Sequence, residues 1–335
     1  MRVIVDAFGG DNAPLEIIRG ASLAVAEYGI KVILTGKRDE ILQTAEKNGV
    51  NLDGMTIINA PGVISMEDEP RSILREHKES SMAEGLRSLA AGEGDAFVSA
   101  GSTGALIVGA TFYVKRIKGI SRAALAPLMP GINGPFMLID SGANVDVRPE
   151  MLLQFAHMGS LYMSNVMGDG RPVKVGLVNV GTEDTKGGDL QHQAFMLLKE
   201  SGLNFVGNIE ARDIPFNVAD VVVTDGFIGN VILKLTEGVA SALMKNIKDI
   251  FMTNAITKAA ALMVKPYLGD LKKKMDATEY GGAPLLGISK PVIKAHGNSN
   301  ANAIKHAIRV AADFAQKGVI EKISAAVKPE ESLSD

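Results

Sequence analysis

Short apolar runs rich in valine, isoleucine and phenylalanine punctuate the chain at Val3–Ala7, Val32–Thr35, Met55–Asn59, Ala96–Ser99, Pro135–Ile139, Val173–Asn179, Phe205–Asn208, Val221–Thr224 and Val292–Ala295. They lack the alternation of a half-solvated sheet and suit strands covered on both faces. The segments between them carry helical periodicity. Asn12 is placed to cap a first helix with Pro14 in its opening turn, and Ile17, Ile18, Ala21, Ala24, Val25 and Tyr28 then fall on one stripe. Similar stripes occupy Glu150–Asn165, Leu190–Ser201 and Asn302–Gln316. Strand–helix alternation along the whole chain predicts a three-layer α/β/α sandwich around a doubly wound, mostly parallel sheet.

The alternation fails once. From Gly229 to about Asp276 the pattern is helical throughout, with a break near Ala255. This is more helix than a crossover needs, and it predicts a projecting arm, about residues 235–276, inserted in one α/β domain spanning 1–327 and followed by a polar tail, 328–335. In the arm, Ile256, Leu262 and Met263, with Ala259, Ala260 and Tyr267, supply apolar surface, and Lys258, Lys265 and Lys272–Lys274 supply charge. A basic amphipathic segment of this kind suits an anionic membrane surface. A helix pair packing a dimer, its lysines solvated, accounts for the same pattern.

Six glycine-bearing turns sit where apolar strands end: DAFGGD (Asp6–Asp11), AGSTGA (Ala100–Ala105), DSGAN (Asp140–Asn144), NVGTED (Asn179–Asp184), TDGFIGN (Thr224–Asn230) and AHGNSNAN (Ala295–Asn302). Open parallel sheets bind ligands beyond the carboxyl ends of their strands, where small residues admit an anion to backbone N–H groups. One shared anionic-ligand crevice is therefore expected. Gly9, Gly10, Asp11, Ser102, Thr103, Gly104, Asp140, Asn144 and Gly226 are its candidate phosphate- or substrate-binding residues. Each motif also has a structural reading: a tight turn for DAFGGD, a Ser/Thr cap for AGSTGA, an Asx-turn for DSGAN and a further cap for TDGFIGN. Lys186, in a turn dense with glycine, can neutralise a phosphate or a developing oxyanion, and Asn230 can donate its amide. His296 is the one histidine in a strand-end glycine turn and is the candidate acid. His77, His157, His192 and His306 fall in charged or helical segments. GGAPLLG (Gly281–Gly287) reads as a flexible wall for an acyl or pantetheine chain, or as a loop packed on the core.

Composition narrows the chemistry. The 335 residues are 46% hydrophobic and 22% charged, and the net charge of −3 offers no basic field for nucleic acid. Cysteine is absent, which removes disulfides, thiolate metal sites and cysteine nucleophiles together. No metal-ligand spacing and no G-x-S-x-G elbow occurs, so neither a metal nor another cofactor is expected. Met-Arg leads at once into a strand, without a signal-peptide pattern, and no apolar run approaches the roughly 18 residues that span a bilayer. A cytoplasmic protein is expected.

Taken in order, DAFGGD, GSTGA, DSGAN, NVGTE, DGFIGN, GGAPLLG and HGNS closely resemble the phosphate acyltransferase (PlsX) family of bacterial phospholipid synthesis, over almost the whole length. The resemblance implies transfer of a fatty acyl group from acyl-[acyl-carrier-protein] to inorganic phosphate. It also implies a fold similar to isocitrate and isopropylmalate dehydrogenases, a homodimer, peripheral association with the cytoplasmic membrane, and a membrane glycerol-3-phosphate acyltransferase (PlsY-type) downstream. Lys186 and Asn230 match the lysine and asparagine that the family implies as active-site residues. Phosphate is already a nucleophile, so direct displacement at the thioester needs orientation and oxyanion stabilisation rather than a strong base. Two other readings compete. A dehydrogenase of the same fold needs a cluster of metal-binding aspartates and arginines that this chain does not offer compactly. A membrane-surface scaffold needs only the arm.

Overall fold

The computed structural model describes residues 1–168, 170–275 and 280–327. All nine apolar runs form strands, and pairing adds three more among the described residues. In chain order they are β1 (Arg2–Asp6), β2 (Lys31–Gly36), β3 (Met55–Asn59), β4 (Ala96–Ser99), β5 (Ala124–Leu125), β6 (Leu128–Gly131), β7 (Gly134–Ile139), β8 (Val175–Val178), β9 (Phe205–Ile209), β10 (Val221–Val223), β11 (Ala283–Leu286) and β12 (Val292–Lys294). The helices are α1 (Leu15–Tyr28), α2 (Arg38–Asn48), α3 (Ser81–Ala91), α4 (Thr103–Gly109), α5 (Pro149–Tyr162), α6 (Asp189–Glu200), α7 (Gly226–Phe251), α8 (Ala255–Met275), α9 (Ala301–Gln316) and α10 (Val319–Ala326).

The strands divide between two mostly parallel sheets, ordered β3-β2-β1-β4-β12-β11-β5 and β6-β7-β10-β8-β9. Uniformly apolar strands explain the helices on both sides. In β1, Val3 and Val5 join one core cluster with Ile17 and Ala21 of α1 and Ile304 and Ile308 of α9, while Ile4 points the other way onto Met82 and Leu86 of α3. In the second sheet, Met137, Val221 and Val223 face Phe155 of α5. Phe136, Leu138 and Val222 face the opposite way, where Ile228 and Ile232 of α7 pack.

The sheets meet through β5 and β6, separated only by Ala126 and Pro127. Ser141 N–H donates to Leu125 O, and Leu138 N–H donates to Pro127 O, so β7 is anchored beside β5. The GGAPLLG segment becomes β11, paired antiparallel with β12 and β5, with Leu285 and Leu286 fully buried. It is thus a core strand that reaches the cleft wall only through Gly282 and Ala283, and its glycines bracket a strand too short to announce itself.

Two local expectations change. Asn12 does not cap α1: Pro14 holds the N-cap position, and the Asn12 amide donates to Asn298 O and Ser299 O. The arm exists as α7 and α8, but α7 begins inside the core and is long and apolar enough to cross a membrane by length and composition. The expectation that nothing in the chain meets that test fails, because glycine, alanine and serine extend the apolar stretch between widely spaced charges. Ile256, Leu262, Met263 and Tyr267 on α8 are exposed. The Lys272–Lys274 side chains, Asp276 and the tail 328–335 lie outside the described residues.

Candidate active site

Parallel strands with alternating helices place all six glycine turns along one edge. Their order is β1, β4 and β12 in the first sheet, then β7, β10 and β8 in the second. A cleft of about 860 Å³ opens over the middle of that row. The four inner turns line it through Thr103, Ser141 and Gly142, Asn230, and the continuous stretch Lys294–Ser299. DAFGGD and NVGTED, the outermost turns, do not line it. This follows from strand order, which no single motif reveals.

DAFGGD instead underpins the cleft floor. Gly9 lies so close to the AGSTGA turn that a β-carbon on it would stand 2.6 Å from Gly101 N. Asp11 N–H donates to Gly297 O at 2.8 Å. The buried Asp6 carboxylate accepts from Ser99 Oγ at 2.7 Å, and Ser99 Oγ accepts from Gly101 N–H at 3.0 Å. Burial pushes the Asp6 carboxyl up, against the hydrogen bonds of Ser81 and Ser99.

The DSGAN and TDGFIGN residues mostly serve each other. Asp140, fully buried, accepts from the N–H groups of Leu125, Gly142, Ala143 and Asn144 and from the Asn144 amide. Burial raises its pKa against those bonds. Asn144 also donates to Ala123 O, and Gly226 N–H donates to Asn144 O at 2.7 Å. Asp225 caps α7 by accepting from Phe227 and Ile228 N–H, which leaves Asn230 free to present its side chain to the cleft. Ser102 is likewise the cap of α4, bonded to Ala105 N–H, while Thr103 faces the opening.

Many of the main-chain donors expected to grip an anion are therefore engaged within the fold. At α9, Asn300 takes Ala303 N–H and Glu16 takes Ala301 N–H. Polar side chains also line the cleft.

Four of these side chains went unremarked in the sequence: Lys294, Ser299, Lys234 and Glu237, all on the cleft wall. Lys294 ends β12 and is only 8% exposed, its ammonium donating to Ala100 O and Ala295 O. Burial, reinforced by Lys234, brings it down to about 8, with Asp11 and Asp6 opposing. A lysine closing an otherwise apolar strand was the available signal. Glu237 gave none, being distant in sequence from His296, yet His296 Nε2 lies 3.6 Å from its Oε1 and Lys234 Nζ lies 3.0 Å from its Oε2. These two partners, His296 first, hold Glu237 below the usual carboxylate range.

Lys186 lies on the loop after β8, one strand outside the cleft; its side chain is 48% exposed, with Glu183 at 3.9 Å. Asn179 holds the loop by donating to Lys186 O. Beyond the polar turns the cleft is apolar, flanked by Leu128 and Met129 on β6 and by Leu233, Ala240 and Met244 on α7.

Residues 1–322 match the model of a family described as fatty acid synthesis protein. A phosphate acyltransferase of Clostridium acetobutylicum is 47% identical over 325 residues, covering 97% of this chain and 98% of its own. Among solved structures, a phosphotransacetylase from Streptococcus pyogenes superposes with TM-score 0.63 at 19% identity, covering 95% of this chain and 94% of its own. A 4-hydroxythreonine-4-phosphate dehydrogenase from Klebsiella pneumoniae does so with TM-score 0.57 at 12% identity, covering 94% and 99%. These structural likenesses establish the shared α/β fold.

Proposed function

The chain belongs to the fatty acid synthesis family of phosphate acyltransferases and is an acyltransferase that moves an acyl group onto phosphate; we propose that its donor is a fatty acyl-[acyl-carrier-protein] thioester. The observation that carries this reading is the two-sided cleft: cationic and hydroxyl side chains at the strand ends, and an apolar flank from β6 and α7 leading away from them. An anionic nucleophile suits the first side and an acyl chain the second.

In this reading a phosphate oxygen attacks the thioester carbonyl, the carbon–sulfur bond breaks, and the acyl phosphate and the carrier thiol leave. Asn230 donates to the oxyanion of the tetrahedral intermediate. His296, oriented by Glu237, delivers the proton that the departing thiolate takes up. Lys186, outside the cleft on the same edge, acts on the donor as it enters. No acyl-enzyme forms.

Two surfaces extend the proposal. Phe227, Val231, Leu235, Val239 and Leu243 recur every four residues along α7 and are all exposed, which supports packing against a second copy as a homodimer. Ile256, Leu262 and Met263, beside Lys265, support peripheral contact of α8 with an anionic membrane. The protein then works on the cytoplasmic face and passes acyl phosphate to a membrane glycerol-3-phosphate acyltransferase.

Purified protein incubated with acyl-carrier thioester and phosphate should yield hydroxylamine-trappable acyl phosphate, with no label retained on the denatured enzyme. Acyl groups retained covalently would refute direct displacement, and thioester consumption without acyl phosphate would refute the donor assignment. Lys186→Ala should reduce turnover; unchanged turnover would remove Lys186 from the site.

A further inference from the structure

Within the cleft, one fully buried side-chain polar atom has no hydrogen-bond partner among the described residues. It is Ser299 Oγ, on a residue only 3% exposed that lines the opening. A buried hydroxyl left unpaired costs desolvation energy that a folded chain seldom leaves uncompensated. The backbone of the same residue is well tied: Ser299 N–H donates to His296 O and Ser299 O accepts from the Asn12 amide. The hydroxyl is thus held rigidly in a wall that gives it nothing to bond.

Five residues earlier on the same segment stands the buried Lys294. Its ammonium donates to two main-chain carbonyls, Ala100 O and Ala295 O, and no carboxylate lies within salt-bridge distance among the described residues. Those carbonyls leave an ammonium its charge uncompensated, and burial accordingly lowers its affinity for a proton. The charged groups that bear on it are Lys234 from α7, which disfavours its charge, and Asp6 and Asp11 from the first turn, which favour it. A buried cation and a buried unpaired hydroxyl lining one cleft have a common remedy, a small anion that accepts from both.

We propose that Lys294 and Ser299 form the seat of the phosphate nucleophile, the ammonium and the hydroxyl each donating to a phosphate oxygen. This rests on the phosphate-acyltransferase reading of the cleft and adds to it which side chains hold the acceptor. The N–H groups of Asp11, Ser299, Ala301 and Ala303 beside the seat are already bonded within the fold and do not contribute to it. A phosphate group can also arrive on the pantetheine arm of the donor, and the experiment separates the two sources.

Inorganic phosphate is titrated calorimetrically into the full-length protein and into Ser299→Ala, Lys294→Met and Lys294→Arg, with KM for phosphate and for the acyl-carrier donor measured alongside. Ser299→Ala and Lys294→Met should each weaken phosphate binding by about tenfold to a hundredfold, the range of a hydrogen bond to a charged group, with Lys294→Arg between them and the parent. KM for the donor should stay unchanged. Ser299→Ala deletes an unpaired hydroxyl, so it should melt no lower than the parent in phosphate-free buffer, which keeps the test open if Lys294→Met fails to fold.

Unchanged phosphate affinity in folded Ser299→Ala would overturn the seat. So would a rise in donor KM with phosphate KM constant, which would assign the pair to the pantetheine phosphate. If the parent binds phosphate and both substitutions weaken it, the seat stands even where no acyl phosphate is formed. That last failure would count against the donor and reaction alone.

Discussion

His296 Nε2 lies 3.6 Å from Glu237 Oε1, joining the turn before α9 to the middle of α7 across the cleft. A carboxylate beside an imidazole fixes the ring orientation, which a proton donor needs. Glu237→Gln should lower kcat by about tenfold to a hundredfold while KM for phosphate changes little. Steady-state kinetics with both substrates varied checks this; a change confined to KM would show that Glu237 only shapes the cleft.

The same contact has a pH signature. Glu237 is held below its ordinary 4.5 by His296 and then Lys234. Its folded form therefore binds a proton more weakly than the unfolded chain does. The stabilisation is present above 4.5 and is lost as pH falls through the lower folded value. Urea midpoints measured from neutral pH down through the acid range should fall more steeply for the parent than for Glu237→Gln.

Lys294 works in the opposite sense. Its pKa falls from 10.5 to about 8 on folding, so between those values the unfolded chain binds more protons and stability rises with pH. Below about 8 the buried charge costs roughly 3 kcal/mol, at about 1.4 kcal/mol per pKa unit. In phosphate-free buffer, the stability of Lys294→Met relative to the parent should therefore be greatest at neutral pH and decline by roughly that amount towards pH 10.5. Denaturant unfolding at neutral and alkaline pH tests it, and a constant difference would mean that burial does not change the lysine's affinity for a proton.

Gly229 sets how closely α7 approaches the DSGAN turn. A β-carbon there would lie 1.8 Å from Asp140 O, against backbone that cannot yield cheaply. Gly229→Ala should destabilise by roughly 3 kcal/mol, the upper end of overpacking costs. Gly238→Ala, further along α7 with nothing within 4 Å, should instead stabilise by about 0.5–1 kcal/mol. Thermal melts of the pair provide the comparison.

Met263 is among the most exposed apolar side chains of α8. Met263→Glu should cut sedimentation with anionic liposomes by about tenfold or more, as expected for losing one buried methionine, with turnover of soluble donor retained. A monomeric variant with unchanged sedimentation would assign the arm to the dimer instead.

Local physics made much of this molecule readable from its residues alone. Central strands covered on both faces are apolar at successive positions, and the half-exposed edge strands β3 and β9 keep short apolar runs, so all nine runs were legible as β-structure, and the strand–turn–helix rhythm put each glycine motif at a strand end. The arm was legible because its helical period continues with no strand to interrupt it. The order of strands was not, because it depends on contacts between residues far apart in sequence. That order alone decided that DAFGGD supports the floor, that NVGTED with Lys186 stands one strand out, and that the sheets divide between β5 and β6. Tertiary structure likewise decided how polar groups were used. Asp140, Asn144 and Ser102 look like ligand residues in sequence but satisfy neighbouring N–H and C=O groups, whereas Lys294, Ser299 and Glu237 matter because folding brings them to one cleft. Hydrogen-bond satisfaction is a property of the assembled fold, and it separates a residue that builds the turn from one left facing the cleft.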